Sequence, residues 1–181
     1  MENVKNTAIL PADKAGETFK VGEYEFIKFP DADGKTPVVM KGIAFRSSFG
    51  DNNDLRSSAV LARLQQEILP KIIEVVGEEN VLTFKTDLTT LDGLKPYEDL
   101  ESKISLPNFD FYRAHVDIFD KHNPSTWWWL ATPESAQPHY DPTWIACVSP
   151  SGGIDFNLFN SDFGVRPFLI FNSSIFESSE E

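Results

Sequence analysis

Cysteine occurs once in this chain, at Cys147, and histidine three times, at His115, His122 and His139. A lone thiol cannot close an intramolecular disulfide, so the stapled recognition scaffolds of oxidising compartments are excluded and the fold must stand on packing. One cysteine and three scattered histidines also give no zinc-ligand spacing. No apolar run approaches the roughly eighteen residues of a membrane helix, and Met1-Glu2-Asn3-Val4 opens no charged-then-apolar leader. The expectation is a cytoplasmic protein, or one released by lysis, outside the membrane.

Positive charge is also scarce. Sixteen basic residues face twenty-eight acidic ones, a formal net charge of -12. The imbalance is uneven: 11 basic and 14 acidic residues up to position 90, then 5 and 14. Such a field repels phosphate backbones and disfavours direct nucleic-acid binding. It leaves open a chain that occupies the basic groove of a nucleic-acid-binding protein, but simple solubility is the stronger reading.

What is present is a core. With 41% apolar and 13% aromatic content in 181 residues, the chain has the material for a single domain. Residues 1–16 carry little pattern and read as an N-terminal tail or lead-in loop, 17–176 as the domain, and 177–181 as an acidic tail. Alternation over Thr18–Phe29 and Thr36–Phe45 predicts two strands joined through Pro30-Asp31-Ala32-Asp33-Gly34, a hairpin. Ser57 or Ser58 caps a helix with Val60, Leu61, Leu64 and Ile68 on one face, and Pro70 is expected to break or kink it near Leu69 before Gly77 ends the run. The Asp51-Asn52-Asn53-Asp54 loop has residue types that hold metals, but capping uses the same types and is the stronger reading. Short strands and turns, with a second short helix near Tyr97–Lys103, are expected between Asn80 and Asp120. Strands follow at Trp127–Pro133, Thr143–Val148, Ile154–Phe159 and Val165–Phe171, with Ser151-Gly152-Gly153 as a tight turn.

Bond chemistry finds little support. No serine-rich stretch matches a nucleophile elbow, no phosphate loop or dinucleotide glycine fingerprint occurs, and His122 and His139 sit in loop contexts. Cys147, between Ala146 and Val148, reads as a packed core thiol. No catalytic residue, metal site or cofactor is assigned, and the chain is not expected to be an enzyme.

Three motifs in order carry a resemblance: Trp127-Trp128-Trp129-Leu130-Ala131-Thr132-Pro133, then Trp144–Val148 with Ser151-Gly152-Gly153-Ile154, then Gly164-Val165-Arg166-Pro167. They resemble an uncharacterised domain family of Firmicute genomes and their prophages, marked by a W-W-L-x-[ST]-P strand, a V-x-x-x-G hairpin and a terminal G-V-R-P strand. Ala131 departs from it, since arginine is frequent there. The signature is in turn similar to C-type-lectin-like folds. The resemblance implies an α+β, C-type-lectin-like fold of twisted antiparallel sheets with one long and one short helix. Sugar binding is not carried over, because the disulfides and calcium motif of animal lectins are missing.

In the lectin-like analogues, ligands meet the loops and hairpin between the tryptophan strand and the last strand. The resemblance therefore assigns a partner-binding surface to Glu134, Gln137, His139, Tyr140, Asp141 and Trp144, continuing through Asp155, Asn157, Phe159, Asn160 and Asp162. Aromatic anchors among short polar groups suit a protein partner, and an ordinary hairpin with ordinary loops fits equally well. On the tryptophan strand Trp127 and Trp129 share one side and Trp128 the other, with Trp128 expected to pack centrally and a flanking ring to line a surface groove. Arg166 is expected to bridge to an acid or cap carbonyls, and Gly164 to supply a backbone geometry that other residues resist.

The phage context and the acidity together point to an anti-defence, anti-CRISPR-like inhibitor of a host nuclease, acting in the bacterial cytoplasm. The alternative is a virion or surface recognition module for a host receptor or glycan.

Overall fold

The computed structural model describes residues 9–136 and 143–176. Within them the protein is α+β, built from a four-stranded sheet, a five-stranded sheet, a two-stranded ribbon, one long helical run and two short helices. No helix among the described residues is long and apolar enough to cross a membrane. The segment expected as a lead-in loop already contributes to the core: Leu10 and Ala12 are buried, and the Leu10 N–H donates to the Ile175 carbonyl.

The stretch read as one strand from Thr18 to Phe29 is itself a hairpin. Strands β1 (Thr18–Val21) and β2 (Tyr24–Lys28) are joined at Gly22, φ 60°, with Val21 opposite Tyr24. The expected hairpin follows, with Asp33 and Gly34 both left-handed (φ 52° and 74°) before β3 (Lys35–Met40), as a two-residue hairpin turn requires. The strand expected to continue to Phe45 stops at Met40, because the Met40 and Lys41 carbonyls turn to Arg166. The chain then joins the other sheet as β4 (Phe45–Ser47).

Ser58 caps the long helix as expected, its Oγ accepting from the Leu61 N–H at 2.9 Å. Pro70 does not break it. The run passes from α1 (Ala59–Arg63) through a π-helical turn (Leu64–Ile68) into α2 (Leu69–Val76). The Leu69 N–H reaches back to the Leu64 carbonyl, and the wider turn places Pro70 in the first turn of α2, where no intrahelical N–H is needed. Gly77, φ 88°, ends the helix.

Tyr97–Lys103 is not helical. Leu100–Ser102 is a strand, β6, paired with β5 (Phe84–Thr86), with Leu100 and Ser102 buried and Glu101 exposed: the period is two, not 3.6. The short helices lie further on, at α3 (Phe109–Ala114) and α4 (Val116–Lys121). Asn108 caps α3 by accepting from the Phe111 N–H at 2.9 Å.

The four-stranded sheet runs β1-β2-β3-β11 and the five-stranded one β4-β10-β7-β8-β9, where β7 is Trp128–Pro133, β8 Trp144–Val148, β9 Ile154–Leu158, β10 Phe163–Val165 and β11 Phe168–Asn172. Pairing is antiparallel except between β10 and β7. Both sheets are covered on two faces. Phe26, Val38, Trp129, Cys147 and Leu169 pack with Val60, Leu64, Ile68 and Ile72 of the long helix. Ile27, Val39, Trp128, Ala146 and Phe168 pack with Tyr112 and Phe119 of the short helices. Alternation along β7 thus sends Trp128 and Trp129 into opposite halves of the core, both essentially inaccessible. Trp127 is half-buried and stacked on Phe163, with ring centroids 5.4 Å apart.

The run expected as one strand from Val165 to Phe171 changes sheets at Arg166-Pro167, since Pro167 has no N–H to offer a ladder. Arg166 is fully buried at this crossing. Its Nε donates to the Met40 carbonyl at 3.0 Å and its Nη2 to the Lys41 carbonyl at 3.1 Å, with a longer contact to His122. The guanidinium also lies 4.5 Å above the Trp128 ring. Of the two expected roles it takes carbonyl capping. Burial pushes the group down to about 9, which leaves it charged at neutral pH. Gly164 is needed for space, not for an unusual φ: a Cβ there would stand 2.6 Å from Ile43 Cδ1.

Candidate protein-binding surface

The hairpin assigned to partner binding forms the outer part of the five-stranded sheet. Gly152, φ 90°, makes the turn between β8 and β9, closed by the Ser149 N–H on the Gly153 carbonyl at 2.8 Å. The Tyr112 hydroxyl anchors it from α3 by donating to the Gly152 carbonyl at 2.5 Å. β9 is the last strand of the sheet, so no described residue pairs with its outer edge.

Of the assigned residues, Trp144, Asp155, Asn160 and Asp162 are exposed, and Glu134, Asn157 and Phe159 are half-buried. Gln137, His139, Tyr140 and Asp141 lie outside the described residues. The Glu134 N–H donates to the Trp144 carbonyl at 3.0 Å. Asn157 accepts from the Ser161 hydroxyl at 3.2 Å, and Asp162 pairs with Arg46 of β4 at 3.5 Å. Phe159 packs against the core beneath the hairpin, and its N–H and carbonyl are both bonded, to Thr143 and Phe49. It holds the hairpin down and offers little to a partner.

The residues that reading missed are Ile154, Phe156 and Leu158. They are 37%, 38% and 37% exposed, and Trp144, directly opposite Leu158, is 37% exposed. Cross-strand partners share a sheet face. Val148 and Ala146, opposite Ile154 and Phe156, are buried under the short helices. The apolar row therefore continues a buried face outward past the point where its helical cover ends. The alternation Ile154-Asp155-Phe156-Asn157-Leu158 signals such a strand, but not which of its faces stays uncovered.

After His122 the chain is poor in positive charge, although Arg46 of β4 reaches Asp162 beside the hairpin. Arg166 is the only lysine or arginine after His122 in the sequence, and it is buried. The hairpin and its flanks thus contribute exposed carboxylates and no exposed Lys or Arg of their own.

A partly buried polar network fixes the end of β7 beside the hairpin. Asn53 Nδ2 donates to the Ser135 carbonyl at 3.0 Å, and its Oδ1 accepts from the Tyr97 hydroxyl at 2.5 Å. The Ser135 hydroxyl donates to Asp92 at 2.6 Å, as does Thr90 at 2.5 Å. The 51–54 loop is used here: Asn53 clips the hairpin's base and Asp54 accepts from the Arg56 N–H at 3.0 Å to cap the 3-10 turn Leu55–Ser57.

Cys147, His115 and His122 are engaged within the fold, and His139 lies outside the described residues. Cys147 is inaccessible, and burial pushes its thiol up to about 12, far from the thiolate that reacts. The His115 ring lies tilted against Phe111, centroids 4.6 Å apart, and burial lowers its pKa. His122, expected in an exposed loop, is half-buried and its Nε2 stands 3.1 Å from the Gly16 carbonyl. A groove of about 510 Å³ between the end of β3 and the end of α4 brings Glu23 and Glu25 together with Lys41 and Lys121, so it favours no one sign of ligand.

Comparison with known proteins finds no matching family model, no matching curated protein and no matching solved structure.

Proposed function

We propose that this chain is a non-enzymatic, C-type-lectin-like binding domain of phage or prophage origin that presents the β8–β9 hairpin to a protein partner. In this reading the partner is a basic, nucleic-acid-binding enzyme of the bacterial host, and the domain acts against defence by occupying a nuclease. The observation that carries the proposal is the exposed row Trp144, Ile154, Phe156 and Leu158 on an edge strand that carries Asp155 and no Lys or Arg. An apolar centre within a polar rim is the usual anatomy of a protein interface, and the acidic rim selects basic surfaces and speeds encounter with them. The motif order Trp127–Pro133, Trp144–Ile154, Gly164–Pro167 supports the fold family and its phage association.

The test is retention of purified host nucleases, a CRISPR effector among them, on the immobilised chain. The expected result is salt-sensitive binding that competes with nucleic acid and is lost in an Ile154→Ser, Phe156→Ser double variant. Binding of no nuclease, with the chain instead found on purified virions or retained by glycans, would replace this reading with a surface recognition module.

A further inference from the structure

The free edge of β9 points to how the partner is held. Along β9 the odd residues face β8: the Gly153 carbonyl and the Phe159 N–H, at either end of the strand, bond to Ser149 and Thr143. Antiparallel ladders alternate, so the backbone groups of Ile154, Phe156 and Leu158 face outward. Two of these are occupied from within. The Leu158 carbonyl accepts from the Ser161 N–H at 3.0 Å, and the Phe156 N–H donates to its neighbour's Asp155 carboxylate at 2.8 Å. A carboxylate on an outward N–H is a guard, one of the ways proteins keep open edges from pairing indiscriminately.

We infer that β9 captures an extended segment of a basic partner as an added sixth strand, with alternate apolar residues laid beside Ile154, Phe156 and Leu158 and Lys or Arg residues between them. This rests on the protein-binding reading above and specifies its contact. A cation in the incoming strand falls on the same face as Asp155 and draws the carboxylate off the Phe156 N–H, which then joins the new ladder. The guard yields to a basic strand and not to an acidic or neutral one. A second copy of this chain is a poor occupant for the same reason: its β9 brings another Asp155 and no Lys or Arg. Strand addition is an established recognition mode, with backbone bonds giving affinity and alternate side chains giving selectivity.

The probe is a capped peptide of alternating valine and lysine, titrated into the full chain by calorimetry. Two companions go with it, one with glutamate for lysine and one N-methylated at alternate residues. Binding of the lysine peptide is expected, at least about tenfold weaker for the glutamate peptide and abolished by N-methylation. Phe156→Pro removes the outward N–H without touching the β8 ladder and is expected to abolish binding, while Phe156→Ala only weakens it. Asp155→Asn is expected to erase the preference for lysine. If Phe156→Pro does not fold, the N-methylated peptide still asks whether backbone pairing is used. Equal binding of all three peptides, or none of any, overturns the inference. So does a chain that sediments as a dimer undone by Phe156→Pro, since the occupant is then a second copy. A nuclease retained equally by wild type and Phe156→Pro leaves the protein-binding reading intact and removes strand addition alone.

Discussion

Replacing Arg166 by methionine tests the joint between the two sheets. The side chain is fully buried, and its Nε and Nη2 hold the Met40 and Lys41 carbonyls at 3.0 and 3.1 Å. No described carboxylate forms an ion pair with it; the charge rests on carbonyl dipoles and on the Trp128 and Phe119 rings, 4.5 and 5.8 Å away. Methionine keeps much of the volume but donates nothing. Each carbonyl left without a partner costs about 1–3 kcal/mol, and relief from burying an uncompensated cation offsets part of that. A net loss of about 2–4 kcal/mol is expected, seen as a fall in Tm of about 5–15 °C for a chain of this size. Arg166→Lys keeps the charge and loses the planar fork, so it is expected to recover less than half of the loss. Thermal and urea unfolding followed by circular dichroism give both values. Wild-type stability in the methionine variant would refute the idea that this guanidinium fastens the crossing between sheets.

Gly164→Ala pushes a methyl into Ile43 and should cost about 1–3 kcal/mol; Ile43→Val in the same chain should restore part of it, read by a double-mutant cycle in urea. Asn53→Ala strips the clip on the Ser135 carbonyl and should cost about 1–3 kcal/mol. Its effect should be non-additive with Tyr97→Phe, and additivity would mean the Tyr97–Asn53 bond contributes nothing. Cys147, with its thiol pushed up to about 12, holds almost no thiolate at pH 8, so a chromogenic disulfide reagent should label it only as fast as the protein opens; immediate labelling of the native protein would contradict its burial.

Much of the architecture was legible because it follows strong periodicities. The helix face at Val60, Leu61, Leu64 and Ile68 and the strands around Trp128, Ile145 and Phe156 were all readable. What escaped depends on single contacts between distant residues. Gly22 hides a hairpin inside an alternating run, and the π turn at Leu64–Ile68 lets Pro70 pass where local rules demand a break. Pro167 was the visible sign that the last strand divides, but its partner in that event, the guanidinium on the Met40 carbonyl, was not. Helices α3 and α4 were missed because aromatic residues at Phe109, Phe111 and Tyr112 weaken the helical propensity that packing then overrides. For the proposed binding surface, sequence singled out the polar positions of the β8–β9 hairpin. The uncovered apolar positions between them follow from where α3 and α4 end, which is a property of the assembled fold.

The place of β10 between β4 and β7 sets an order of assembly. Among the described strands β4 has no partner other than β10, so Phe45–Ser47 waits through synthesis until Phe163–Val165 emerge, whereas β7, β8 and β9 form a meander from neighbouring sequence. Closure between such distant segments is slow, and the ring faces of Trp127 and Trp129 that Phe163 covers stay wet until then. A message interrupted before Phe163 therefore leaves β4 without its described partner, and an open sheet for the cell's proteases to clear.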